Sequence, residues 1–204
     1  MDLSAKTGHD GTRPPPPTEA TTIMTKRCDN ASVGVLITDA KTRCLMLERA
    51  TFPPGLAPAA GHVFDDHAGY EQAARAEVAE ELGLTVATLE LLPVGGWRPN
   101  QCRRLPGPRG VGHQWQIYQA TTTGTLRPSA RETRNVRWMT SVEMQRLASW
   151  TAYYALGRVS DHEFAESPGI EPVWVRFLTE LGLIRMSPTD LANVDEVAAQ
   201  PVRS

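Results

Sequence analysis

Cysteine is scarce in this chain: Cys28, Cys44 and Cys102 stand far apart, form no CxxC pair and are odd in number. Such spacing indicates neither a zinc knuckle nor a disulfide framework, and a reducing cytoplasm is the expected compartment. Long hydrophobic runs are missing too. No segment approaches the roughly 18 apolar residues of a membrane span, so no membrane partner is expected. Residues 1–30 are polar and proline-rich, without an apolar stretch that could act as a secretory signal. Nor is charge of one sign in excess: a net charge of −2 leaves no global field to recruit nucleic acid or an anionic membrane. What remains is a globular composition in 204 residues, enough for one substantial domain and barely for two.

Residues 1–30 read as a disordered tail around Pro14–Pro17, a stretch that could also be a polyproline ligand; Met24 is an alternative start. The texture changes at residue 31. Val33, Val35 and Ile37 alternate as in a half-buried strand, and Cys44–Leu47 reads as its return. Residues 52–58, with three prolines and a glycine, are loop. Further strands are expected at 89–94, around Trp115–Tyr118 and at 136–139, with loop at 98–113 and a helix at about 141–150. Trp174, Phe177, Leu178 and Leu181 fall at helical spacing within 151–185, a helical extension packed on a 31–150 domain. Residues 186–204 read as a flexible polar tail. No internal repeat is present.

The strongest helix is 70–82, YEQAARAEVAEEL, ended by Gly83 where a left-handed residue is wanted. Glu77, Glu80 and Glu81 stand at i, i+3 and i+4 and share one stripe, beside a second stripe of Ala74, Val78 and Leu82. Three carboxylates on one side repel each other, and a hard divalent cation with oxygen ligands relieves that repulsion. By itself ExxEE is also common on solvated helix surfaces.

The whole run from Gly61 to Leu84, GHVFDDHAGYEQAARAEVAEELGL, resembles the Nudix box: a glycine, a loop, then Arg-Glu-x2-Glu-Glu-x-Gly and an aliphatic residue. The match covers Glu77, Glu80, Glu81, Gly83 and Leu84, and the element order resembles the family from about Ser32 to Ala148. Two positions depart. The loop is one residue longer than the family's, and Ala76 stands where the family has arginine. Arg75 points elsewhere and is expected to pair with Glu71, so the carboxylates need orientation from another segment. The family's loop glutamate has only Asp65, Asp66 and His67 as candidates.

This resemblance implies an α/β/α sandwich with a mixed sheet and an activity: metal-dependent hydrolysis of a diphosphate bond in a nucleoside diphosphate linked to a group X. Magnesium, with manganese as an alternative, would be held by Gly61 through its backbone carbonyl and by Glu77, Glu80 and Glu81. Arg49 is implied as a phosphate contact, and Glu132, before a strand containing Trp138, as a general base. The loop 97–112 adds Arg98, Arg103, Arg104 and Arg109, whose planar guanidinium groups suit phosphate oxygens. Trp97 and Trp115 are expected in the core rather than stacked on a base. His62, His67 and His113 lack zinc-ligand spacing and read as polar loop or edge residues. Two rival readings stay open: a nucleotide-sensing module without turnover, marked by Ala76, and a diphosphate isomerase, which the position of Cys102 after the box does not favour. A homodimer also stays open, with 151–185 as interface or lid.

Overall fold

The computed structural model describes residues 26–200, so Pro14–Pro17 and Met24 lie outside the described residues. The order is β1 (Ala31–Ile37), β2 (Cys44–Arg49), β3 (Leu56–Ala57), β4 (Ala59–His62), α1 (Tyr70–Leu82), β5 (Thr85–Arg98), β6 (His113–Thr123) and β7 (Thr133–Met139). Four helices follow: α2 (Ser141–Ala155), α3 (Asp161–Glu166), α4 (Pro172–Glu180) and α5 (Pro188–Ala199).

A mixed sheet in the order β4-β1-β6-β5 pairs β1 parallel to β6 and antiparallel to β4; a second sheet runs β3-β2-β7. Alternation along β1 divides the core. Val33, Val35 and Ile37 face Val78 and Leu82 of α1, whereas Leu36 joins Trp174 and Phe177 of α4 on the opposite face. Strand β6 repeats the division, with Tyr118 and Ala120 toward α1 and Trp115 and Ile117 toward α4. Helices therefore cover both faces, the layering expected when strands bury side chains on both sides. Gly34 permits the close approach of α4: a Cβ there would lie 2.4 Å from the Trp174 ring.

Both ends differ from the sequence expectation. Residues 186–200 are not a tail, because α5 buries Leu191, Val194 and Ala198 against α2 and α4. Its apolar residues at i, i+3 and i+7 are few, and Ser187 caps it by accepting from the Asp190 N–H at 3.1 Å. Nor does structure begin at residue 31. The Cys28 N–H donates to the Leu105 carbonyl at 2.9 Å, and buried Asn30 donates to the carbonyls of Gly110 and Gly112. Polar side chains, rather than an apolar run, anchor this segment, which is why composition does not reveal it. The sheet register brings β4's end, β5's end and the starts of β1 and β6 to one edge, where Ser32 faces His62 and Arg98 faces His113.

Candidate active site

Helix α1 ends on Gly83, left-handed at φ 67°, whose N–H bonds the Ala79 carbonyl. The next carbonyls are taken up from outside the helix: Ser129 N–H donates to Glu81 O at 2.9 Å and Arg127 N–H to Leu82 O at 2.8 Å. This wrap brings the segment 127–133 over the helix end and with it Glu132, whose carbonyl accepts from the Ala50 N–H.

The three box glutamates occupy different environments. Glu80 is exposed, Glu77 is partly buried and Glu81 is buried. The Ala60 N–H donates to Glu81 Oε2 at 3.0 Å, tying the helix to β4. Glu77 lies against the next residue of that strand: a Cβ on Gly61 would sit 1.7 Å from Glu77 Oε1, so space rather than backbone angle demands glycine there. Burial, reinforced by the charges of Glu80 and Glu132 and opposed by Arg49, pushes the Glu77 carboxyl up to about 7. Burial and then the Glu77 charge drive Glu81 well above the ordinary carboxylate range, against Arg49 and the Ala60 N–H. Two buried carboxyls that are costly to ionise, beside a third, form an all-oxygen donor set suited to a hard divalent cation.

Arg49, at the end of β2, supplies a compensating positive charge for the box carboxylates. It opposes the raised values of both Glu77 and Glu81, and its Nη1 lies 3.5 Å from Glu171 Oε2. Glu171 is buried at the start of α4, where Asn100 Nδ2 donates to its Oε1 at 3.2 Å. Arg75, expected to pair with Glu71, instead donates to the Val86 carbonyl at 3.0 Å, because β5 returns alongside α1 and offers an acceptor.

A cleft of about 190 Å³ opens beside Gly61, lined by Arg49, His62, Arg103, Arg104 and Glu171. A second cavity, about 410 Å³, shares Arg49, Phe52 and Pro53 and adds Tyr154 and Phe164. Arg98 does not line either cavity: it pairs with Glu180 of α4 at 2.9 Å. Arg109 stacks over the Trp97 ring at 4.0 Å, so that tryptophan serves as a platform outside the core, whereas Trp115 is buried as expected. Arg104 forms an ion pair with Asp65, which also bonds Lys26 at 2.9 Å; these partners outweigh desolvation and hold Asp65 below its ordinary value.

One cluster had no sequence signal. Cys28, His62, Cys102 and His113, separated by 34, 40 and 11 positions, direct their sulfur and ring nitrogen atoms to within 4.8 Å of one another. His62 and His113 lie at strand ends, the last residue of β4 and the first of β6. The sheet register brings these ends together beside the loops that carry Cys28 and Cys102, so residues without zinc-ligand spacing in the sequence gather in space. His67 is outside the cluster.

The model of the NUDIX domain family matches residues 29–158, and the chain belongs to the Nudix family. In class it is a pyrophosphohydrolase. Similar solved structures include a MutT NUDIX hydrolase from Burkholderia pseudomallei, at 19% identity and TM-score 0.46 over 57% of this chain and 85% of that one. A C. elegans Ap4A hydrolase in a binary complex is 19% identical, with TM-score 0.42 over 62% of this chain and 92% of that one. The NUDIX domain of Shewanella oneidensis NrtR, complexed with ADP ribose, is 17% identical, with TM-score 0.43 over 60% and 82%. No curated protein matches the chain.

Proposed function

We propose that this protein hydrolyses a diphosphate bond in a nucleoside diphosphate linked to a group X, with a divalent cation, magnesium or manganese, on Glu77, Glu80, Glu81 and the Gly61 carbonyl. The observation that carries this reading is the placement of Glu77 and Glu81 against Gly61 and Ala60, with Arg49 as a compensating charge. The bound cation supplies charge neutralisation for the diphosphate and lowers the pKa of an attacking water. The chain's own groups do the rest. Arg49, Arg103 and Arg104 bind phosphoryl oxygens from the cleft wall and stabilise charge that develops on them. The Ala60 N–H fixes the Glu81 carboxylate. Glu132 accepts the proton of the attacking water, a role supported by its electrostatic reach to Glu77 and Glu81. Arg49 opens on both cavities, and the larger one has the volume and apolar wall for the nucleoside or X. Arg98, held by Glu180, contributes to the loop's support rather than to phosphate binding.

The test is phosphate and nucleotide release from nucleoside triphosphates, nucleotide sugars and dinucleotides, with magnesium supplied or withheld, alongside Glu80→Gln. Magnesium-dependent turnover of one class, lost in the variant, is expected. Ligand binding without product across the whole panel would refute the hydrolase and favour a nucleotide sensor.

A further inference from the structure

We infer that Cys28, His62, Cys102 and His113 form a Cys2His2 site for zinc or a similar borderline-soft cation, separate from the oxygen site on α1. A tetrahedral zinc, with bonds of about 2.3 Å to sulfur and 2.0–2.1 Å to nitrogen, has N···N edges of about 3.3 Å and N···S edges of about 3.6 Å. Three of the observed separations lie within about 0.2 Å of these edges, and the fourth, from Cys28 to His113, is about 0.5 Å shorter. His62 Nε2 and His113 Nε2 are 3.3 Å apart, Cys28 Sγ is 3.4 Å from His62 Nε2 and 3.1 Å from His113 Nε2, and Cys102 Sγ is 3.5 Å from His62 Nε2.

Both sulfurs accept hydrogen bonds from the backbone. Asn30 N–H donates to Cys28 Sγ at 3.3 Å and Arg104 N–H to Cys102 Sγ at 3.4 Å, so each sulfur accepts from the backbone two residues onward. Such outer bonds orient ligands and support negative charge on sulfur. Two thiolates and two neutral imidazoles make a zinc centre of zero net charge. That suits a site where Cys28 and His113 are buried and the Trp115 ring meets His113 edge-on at 6.0 Å. All four positions are taken by protein, the closed arrangement of a structural rather than a catalytic centre.

The fold gives this centre a task. It ties the segment before β1 to the end of β4, the start of β6 and the loop after β5. His62 follows Gly61 directly, and Cys102 precedes Arg103 and Arg104. The soft site therefore fixes the wall of the cleft one residue away from the hard one.

Metal content tests this on the full chain, purified under reducing conditions and reconstituted with zinc, then separately with cobalt(II). One zinc per chain should survive dialysis, and the cobalt protein should show thiolate charge-transfer absorption with the intense bands of a tetrahedral centre. Cys102→Ser, at a partly exposed position, should weaken zinc at least about tenfold, while Glu80→Gln keeps the full zinc content. A reduced wild-type chain that takes up no zinc, a cobalt spectrum without thiolate bands, or a Cys28–Cys102 disulfide that persists through reduction would overturn the proposal. These readouts need no turnover, so the zinc site and the hydrolase stand or fall separately.

Discussion

Replacing Glu77 by glutamine keeps the side chain's shape and fixes it in the neutral state. In the cation-free protein Glu77 ionises at about 7, against an ordinary 4.5, mainly because it is buried and secondarily because Glu80 and Glu132 repel its charge. Between those two values the unfolded chain releases the proton while the folded chain retains it. The folded state then binds more protons, so stability is full below about 4.5, falls as pH rises and is lost above about 7. At about 1.4 kcal/mol per pH unit the difference is worth on the order of 3 kcal/mol. Urea unfolding at pH 5 and pH 8, without divalent cations, should show Glu77→Gln gaining roughly that amount over wild type across the interval. Any contribution from the cysteine–histidine cluster enters both proteins equally and cancels. Magnesium at 100 times its dissociation constant should restore about 2.7 kcal/mol to wild type at pH 8 and distinctly less to the variant. Parallel pH profiles for the two proteins would refute the reasoning, since Glu77 would then ionise alike in both states.

Glu132→Gln should lower kcat by about 10²–10⁴ with KM little changed, as loss of a general base does; steady-state kinetics on whichever substrate the panel identifies decides it. Arg49→Met leaves buried Glu171 without its ion partner and should destabilise by about 3–5 kcal/mol, recovered in part by Glu171→Gln on the same chain; thermal denaturation of the two single variants and the double reads the coupling. Gly34→Ala drives a methyl into the Trp174 ring and should cost about 1–3 kcal/mol, visible as a lower Tm. Arg98→Gln removes a surface ion pair and should change stability by about 0–1 kcal/mol and KM by less than about twofold; a large rise in KM would return Arg98 to the phosphate site.

Local patterns were legible wherever the physics was local. The helix over Tyr70–Leu82 announced itself through alanine, glutamate and leucine with a closing glycine, and the alternation of β1 named one of its faces. The strand expected to be half-buried is buried on both, because α4 covers the side that carries Leu36. Spacing on one helix also put Glu77, Glu80 and Glu81 on a common stripe, because i, i+3 and i+4 share a face whatever surrounds them. It did not reveal that Glu81 would be buried and Glu80 exposed, which depends on where β4 lies.

Arg49 shows the limit most clearly. The residue that compensates the box carboxylates comes from β2, 28 and 32 positions before Glu77 and Glu81, and only the shared core that gathers Leu45 and Leu47 of β2 with Val78 and Leu82 of α1 brings it there. Helix α5 was missed because a weak apolar stripe acquires its stability from α2 and α4, not from its own propensity. The cysteine–histidine cluster is the extreme case: its four members come from four separate stretches of chain. The sequence by itself determined the helix, its glutamate stripe and the glycines that punctuate it. Only the tertiary structure decided which distant charges and donors those groups would meet, because antiparallel and parallel register set such neighbours over separations that no periodicity records.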